Sequence, residues 1–340
     1  MPKLHSITAN GTTFSARSGE FLLDSALAQG IAFPHDCRAG RCGSCLTKVA
    51  RGSTLGGASM QRGMVHACQA RVFSDLDISF EQLPPVRAAN GEVTSLKVRC
   101  ADVIEVGIKL ANPIVFRPGQ YCTFKFRGFP ARSFSPTLPA DGSSTTDDIT
   151  LHIKRVRDGR VSMALGEDIL QGHKVRVEGP FGAAFFRPGR SGRMVLVAGG
   201  TGFAPILSIA SAALHEDHAR EMVVVTGART VPSLYMARGL VTLQSFPGVK
   251  VIVTASEVPQ GLSIVRTGSP DQHTPDLKAE DVVYAAGAPA MIKLLAARAD
   301  RVGAEFYSDP FEASGNARDV GTTQRLAWPN PGPRARASAA

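Results

Sequence analysis

The sequence predicts a multidomain protein that mixes α+β and α/β architecture, and three observations carry that expectation. A segment of short strands and one short helix holds clustered cysteines near the start, five short strands broken by glycine and proline follow, and from Arg193 apolar strands alternate with helices. At 340 residues, and about 100–200 residues per domain, two or three folded units are expected. Hydrophobic residues make up 44% of the chain and charged residues 20%, near globular averages, which argues against disorder or a fibrous repeat for its bulk.

In the first segment, "HSITANGTTFSARSG" alternates polar and β-prone residues around Asn10-Gly11 and reads as a hairpin. In "GEFLLDSALAQG" the apolar Leu22, Leu23, Ala26 and Leu27 share one helical face, and Gly30 stands where a helix-ending glycine belongs. The loop "PHDCRAGRCGSC" then places Cys37, Cys42 and Cys45 at C-x4-C-x2-C spacing, with Cys68 in "VHACQA" as a distant fourth thiol. That is the plant-type ligand spacing of a [2Fe–2S] cluster, which needs four anionic sulfurs around two irons. Gly40 and Gly43 let the loop turn its amide N–H groups inward, toward the sulfides. The competing readings are a zinc site and ordinary buried cysteines. Zinc usually takes paired C-x2-C knuckles, and one such knuckle is present here. Cys100 and Cys122, inside expected strands, read as structural.

"EQLPPVRAANG", Glu81 to Gly91, carries a proline pair and an Asn-Gly and reads as a linker. Beyond it "EVTSLKVRC", "DVIEVGIKL", "QYCTFKF", "DITLHIKRV" and "KVRVEGP" predict a small antiparallel barrel or sandwich. In "ARSFSP", Arg132 can neutralise a phosphate, Phe134 can lie against a planar ring and Ser135 can donate to a ring nitrogen, a set that suits a flavin. Alone, it reads equally as an exposed arginine beside a core Phe. In "RDGRVSMAL", Gly159 and Ser162 are expected to open a helix whose free N–H groups suit a pyrophosphate; a routine turn with a cap competes.

In the third segment, strand-helix alternation implies a parallel sheet covered on both faces. "MVLVAGGTGFAPILSI" runs from a strand through Gly199, Gly200, Thr201 and Gly202 to Pro205 at a helix start, a turn that lets backbone approach a nicotinamide dinucleotide. "YAAGAPAM" is a second strand-to-glycine turn, equally an ordinary connection, and Phe311 in "FYSDPF" could cover a flavin ring or be a core Phe. Arg229 in "TGART" stands where a 2′-phosphate could be met, with no acidic residue in that turn to mark a ribose contact. The closing "ARDVGTTQRLAWPNPGPRARASAA", with the lone Trp328, is expected to be disordered.

The formal charge of +9 comes from Lys and Arg scattered singly, without a dense basic run or aromatic stripe. No nucleic-acid partner is expected; a basic surface of this kind can steer an acidic protein or a phosphorylated cofactor. "MPKLHSITANG" lacks the apolar stretch of a secretory signal, and no segment reaches the ~20 apolar residues of a membrane span, so a cytoplasmic location is expected. In a reducing compartment, clustered cysteines read as metal-binding or catalytic rather than as disulfides.

In this order, over about Leu4 to Ser314, the motifs resemble those of the reductase components of multicomponent bacterial oxygenases. "SALAQGIAFPHDCRAGRCGSC" is similar to the electron-transfer components of xylene-monooxygenase systems, and "HIKRVRDGRVS" and "AGGTGFAPILSI" to naphthalene-dioxygenase-type reductases. The resemblance implies a β-grasp ferredoxin domain (1–83), a linker (84–90), an antiparallel β-barrel flavin domain (91–190), a parallel-sheet nucleotide-binding domain (191–316) and a tail (317–340). It implies that Cys37, Cys42, Cys45 and Cys68 hold the cluster. Arg132, Ser133, Phe134 and Ser135 would bind FAD, together with His152 and Lys154, while Gly159, Arg160, Val161 and Ser162 would take its pyrophosphate. Gly200, Thr201, Gly202 and Arg229 would face NADH, with NADPH left open, and Gly287 and Pro289 would form the second turn. Ser135, near the ring N5, and Phe311, over the isoalloxazine, would be the residues at the reacting ring.

Three departures stand out: a short gap from Cys45 to Cys68, Asp158 where many relatives have glycine, and Ala286 where many carry a cysteine. The implied activity is a relay from NADH through FAD to the cluster, at about −400 mV, and on to a terminal oxygenase or an intermediate ferredoxin. The acceptor could be a Rieske dioxygenase or a di-iron monooxygenase of hydrocarbon degradation, soluble or membrane-bound. The alternatives are a reductase for a separate ferredoxin or a deoxysugar dehydratase, a cluster-only carrier, and a zinc-stabilised binding module.

Overall fold

The computed structural model describes residues 3–59, 61, 63–137 and 147–311, so the expected tail and Trp328 lie outside the described residues. The chain builds three main sheets in sequence order.

The first sheet contains β1 (Leu4–Ala9), β2 (Thr12–Arg17), β3 (Leu46–Arg51), β5 (Met64–His66) and β7 (Leu76–Ser79) in the order β2-β1-β7-β3-β5. Two short strands, β4 (Thr54–Leu55) and β6 (Arg71–Val72), pair with each other beside it. Asn10 and Gly11 have φ of 48° and 85°, as the two-residue hairpin between β1 and β2 requires. β1 runs parallel to β7 at the centre, and α1 (Leu22–Ala28) buries Leu22, Leu23 and Ala26 against the sheet, giving the β-grasp arrangement. Gly30, with φ of 76°, follows the helix end. The hairpin tip is tied to the end of the unit: Asn10 Nδ2 donates to the Phe80 carbonyl at 2.9 Å, and Phe80 N donates back to Asn10 Oδ1 at 3.1 Å.

The second sheet is wholly antiparallel: β8 (Arg87–Cys100), β9 (Val103–Leu110), β10 (Tyr121–Phe126), β11 (Arg132–Phe134), β12 (Asp148–Lys154) and β13 (Lys174–Phe181), ordered β11-β10-β13-β8-β9-β12. Its two edges meet where Thr137 N donates to the Thr150 carbonyl at 2.8 Å, so the sheet curls into a barrel. Alternate residues fill it, among them Val106, Ile108, Phe124, Phe126, Leu151, Ile153, Val175 and Val177. The stretch read as a linker is shorter than expected. β8 begins at Arg87, and Asn90-Gly91 runs straight on, paired with Arg176 and Val175. Glycine serves a packing purpose there, because a Cβ on Gly91 would stand 2.6 Å from the Lys109 carbonyl oxygen.

The third sheet is wholly parallel, ordered β17-β16-β15-β14-β18-β19. Its strands are β14 (Met194–Gly199), β15 (Met222–Thr230), β16 (Val249–Glu257), β17 (Arg266–Thr267), β18 (Val282–Gly287) and β19 (Glu305–Pro310). One face packs on α2 (Phe203–Glu216) and α3 (Ala237–Gln244), the other on α5 (Pro289–Val302) and on the short α4 (Pro270–His273), which lies beside α5 against β14, β15 and β16. Continuous runs such as Val195–Leu196–Val197 are buried because both faces are covered. The strand order reverses at β14, and this switch point opens a crevice at the carboxyl ends of β14, β15 and β18.

Candidate functional site

The four clustered cysteines form two pairs. Without metal, Cys42 shares a hydrogen bond with Cys37 and Cys45 with Cys68. That bond, with the N–H groups of Ala39, Cys42 and Arg41 at 3.4–3.5 Å, holds the Cys37 thiol down to about 5. The bond from Cys45, with the Gly40 amide, brings Cys68 to about 7, while Cys42 and Cys45 are pushed up as donors. Gly40 and Gly43 have φ of 69° and 72°, so the loop turns its amides inward as the glycines allow. Among the described residues no three His, Cys, Asp or Glu side chains close on one point as a single ion needs. Two pairs of sulfurs, each with amide donors beside it, fit a two-iron centre, in which each iron takes two of the four sulfurs as thiolates.

The "ARSFSP" strand carries a second constellation. Ser135 Oγ donates to Asp309 Oδ2 at 2.7 Å, joining the end of β11 to the end of β19. Burial pushes the Asp309 carboxyl up to about 6, with the Ser135 bond acting in the opposite sense. Phe311 N donates to the Gly287 carbonyl at 2.8 Å, and Ser208 Oγ of α2 donates to the Pro136 carbonyl at 3.0 Å. Ser135, Phe311 and Gly287, far apart in the chain, thus meet at one seam between barrel and parallel sheet. Arg132 and Phe134 are half-buried on the same strand, and the Arg132 guanidinium spends one donor on the Ala131 carbonyl at 2.7 Å, leaving others for a phosphate. A hydroxyl, an aromatic and a free guanidinium face at such a seam fit a flavin.

The glycines of the nucleotide crevice divide their work. Gly200 has φ of 56°, and a Cβ there would meet nothing within 4 Å, so it borders open space. Gly287, at φ of 132°, touches the Gly199 backbone. Gly202 has an ordinary helical φ of −58°, yet a Cβ there would lie 2.2 Å from the Ala286 carbonyl oxygen. Its glycine is demanded by packing against β18. Gly202→Ala is expected to lower stability by about 1–3 kcal/mol through overpacking; a shift in the urea midpoint checks this, and an unchanged midpoint would return Gly202 to a ligand-facing role.

Models of three protein families match the chain: a 2Fe-2S iron-sulfur cluster binding domain at residues 7–73, an oxidoreductase FAD-binding domain at 90–186 and an oxidoreductase NAD-binding domain at 196–297. The reductase component of the naphthalene 1,2-dioxygenase/salicylate 5-hydroxylase systems of a Ralstonia species is 32% identical over 325 residues, 88% of this chain and 96% of its own. The ferredoxin–NAD(+) reductase component of the alkene monooxygenase system of Xanthobacter autotrophicus is 33% identical, over 84% of this chain and 93% of its own. The chain belongs to the reductase components of oxygenase systems. Among solved structures, the reductase is similar to the ferredoxin reductase in carbazole 1,9a-dioxygenase (25% identity, TM-score 0.63, covering 92% and 99% of the two chains). It is also similar to the Amycolatopsis cytochrome P450 reductase GcoB (26%, TM-score 0.67, 92% and 100%). The matched domains fit an electron-transfer chain from NAD(P)H through FAD to a [2Fe–2S] cluster.

Some side chains singled out in the sequence go elsewhere in the reductase. Gly159 and Ser162 open no helix: two isolated helical bonds, Met163 N to the Gly159 carbonyl at 2.9 Å and Asp168 N to the Ala164 carbonyl at 3.0 Å, sit in tight turns that pass through Gly166, with φ of 87°. Ser162 Oγ turns inward to accept from Val156 N at 3.1 Å, Val161 is core, and Arg160 is exposed, so a pyrophosphate here would meet backbone and Arg160. Asp158 adopts φ of 64°, the conformation that a glycine would supply, so the departure preserves the turn. His152 contacts Glu105 at 3.3 Å and lies edge-on to Tyr235 with ring centroids 5.2 Å apart, while Lys154 pairs with Asp102 at 3.4 Å. His152 Nδ1 keeps no hydrogen-bond partner among the described residues, and the Lys154 side chain is half exposed. Thr201 is half-buried at the glycine turn and Pro289 is the first residue of α5; Ser133 Oγ lies 3.3 Å from Thr123 Oγ1. Arg229 lies within β15 and pairs with Glu257 of β16 at 3.3 Å. Sequence reading missed Glu257 and Asp309; the parallel register that sets Thr230 beside Glu257 is a tertiary fact. No helix among the described residues is long and apolar enough to cross a membrane.

Proposed function

We propose that this reductase feeds single electrons to a terminal oxygenase, or to an intermediate ferredoxin that serves one, in the cytoplasm. The observation that carries this reading is the seam at Ser135, Asp309, Phe311 and Gly287, where the barrel meets the nucleotide crevice while the cysteine loop lies against the same barrel. We take the working units to be 1–83, the barrel up to 190 with β8 extending it back to Arg87, and 191–316. Bound FAD supplies the conversion of a hydride pair into single electrons. The chain's own part is to orient and to exclude water: Ser135 presents its hydroxyl at the seam, Asp309 fixes that hydroxyl, Phe311 covers the ring face, and Arg132 meets a phosphate. Cys37, Cys42, Cys45 and Cys68 hold the cluster.

Anaerobic titration of the purified protein with NADH tests this reading. Flavin and iron–sulfur bands should both bleach, and adding a Rieske or di-iron oxygenase component should restore them. Failure of NADH and NADPH alike to bleach either band would reduce the protein to a carrier. For the nucleotide we favour NADH, because Glu257 occupies Arg229 and adds negative charge where a 2′-phosphate would sit. The pair is 82% and 64% exposed, and such pairs contribute up to ~1 kcal/mol. Glu257→Gln should therefore raise the NADPH to NADH ratio of kcat/KM by no more than about fivefold; a fall in that ratio would count against the assignment.

A further inference from the structure

The cysteine loop is seated on the barrel at one small patch. Tyr121, the first residue of β10, donates its hydroxyl to Asp36 Oδ2, one residue before Cys37. Gly182 N, just past β13, donates to Ser44 Oγ at 2.9 Å, between Cys42 and Cys45. Bare backbone makes the fit. A Cβ on Gly43 would stand 3.1 Å from the Ala183 methyl, and one on Gly182 would press the Tyr121 ring at 3.0–3.1 Å. The Phe181 ring, centred 5.7 Å from that of Tyr121, backs the seat. Tyr121 is 8% exposed and lies within electrostatic reach of both Cys42 and Asp309. It thus neighbours both the cluster loop and the seam where flavin chemistry is proposed.

Beside this seat the three units part. A cleft of about 520 Å³ opens between Gly43 and Ser44 of the loop, Ala183 and Arg187 after the barrel, and Phe306 and Tyr307 of β19. Other ties among the described residues run from Glu81 to Arg117 and Arg187, from Arg117 to the Gln82 carbonyl, and from Gln61 to the Phe306 carbonyl. Of these contacts, those of the seat are made by the cysteine loop itself, at Asp36, Gly43 and Ser44, so the seat is placed to set the loop's distance from the seam.

We propose that Tyr121 and Asp36 are positioning residues that latch the cluster loop onto the barrel, and that the rate of electron passage from flavin to cluster depends on this latch. The proposal rests on the relay reading above. One electron leaves reduced flavin and enters the oxidised cluster; Tyr121 is neither oxidised nor deprotonated, and acts by holding the gap.

The test uses the full-length, cofactor-loaded protein with Tyr121→Phe, which keeps the ring and loses the hydroxyl, and separately Asp36→Asn. Stopped-flow mixing with NADH separates flavin bleaching from cluster bleaching. Flavin reduction should stay within about twofold, because Tyr121 is outside the hydride site, while transfer to the cluster slows by roughly tenfold or more, as small misplacements do. Hydrogen exchange of residues 37–45 should rise in both variants, and the cluster's midpoint potential and electron-spin signal should match the wild type. Wild-type transfer with unchanged exchange in both variants would overturn the latch. A shifted potential that accounts for the slowing would overturn it too, by assigning the effect to driving force. An unmodified protein whose flavin NADH fails to bleach would instead sink the relay reading itself.

Discussion

Cys45→Ser is expected to abolish one-electron delivery completely while leaving NADH able to bleach the flavin. Cys45 is 3% exposed and packs in the core of the first unit beside Cys68, so its sulfur, proposed as a ligand, is also part of the fold. A serine in its place removes one of four thiolates, and a cluster held by three is not retained at ordinary affinity. The loss should appear as iron content near zero, disappearance of the iron–sulfur bands and a lower melting temperature for the first unit. The Ser135–Asp309 seam lies in the other two units and should keep its flavin response. Two irons per chain with undiminished delivery in this variant would remove Cys45 from the ligand set.

Ser135→Ala is expected to slow flavin reduction by NADH by about 10–100-fold, because it removes the hydroxyl at the seam and leaves the buried Asp309 carboxylate without the donor it accepts from, a loss of about 1–3 kcal/mol. Asp309→Asn should be milder and more telling. With its carboxyl raised to about 6 by burial, Asp309 accepts the Ser135 hydroxyl as a carboxylate above that pH and carries its own proton below it. The flavin-reduction rate should accordingly inflect near pH 6 in the wild type and lose that inflection in Asp309→Asn. Stability changes in the same window. The folded chain holds this proton more tightly than the unfolded chain, so the contribution is present in acid and is lost as the pH rises through about 6. A pH profile flat in both proteins would separate Asp309 from the chemistry.

Much of this was legible because the signals are local. Asn10-Gly11 turns, Gly30 ends a helix, and the C-x4-C-x2-C loop folds inward on its own glycines; each depends on neighbours in the chain. Strand alternation likewise located the barrel and the parallel sheet. What escaped depends on contacts between distant segments. "FYSDPF" pointed to Phe311, yet Asp309 gains its character from burial and from Ser135, 174 residues away. Gly202 looked like its neighbours in the glycine turn and is fixed by β18. The Gly159 turn carried helix-opening residues but had too few residues before Gly166 to propagate a helix, and Asn90-Gly91 was read as a turn where barrel pairing kept it straight.

The clasp between Asn10 and Phe80 bears on how self-contained the first unit is. It brings the exit of the first unit back to its opening hairpin, and the Phe33 ring seals it against Phe80 at 4.0 Å between centroids. A unit that closes on itself asks nothing of the peptide that follows, so it is portable: it can be spliced ahead of or behind another module without redesigning its interior. The interior of the first unit then does not dictate the order of the three units along the chain, and the fit to the barrel rests on surface contacts such as those at Tyr121 and Gly182.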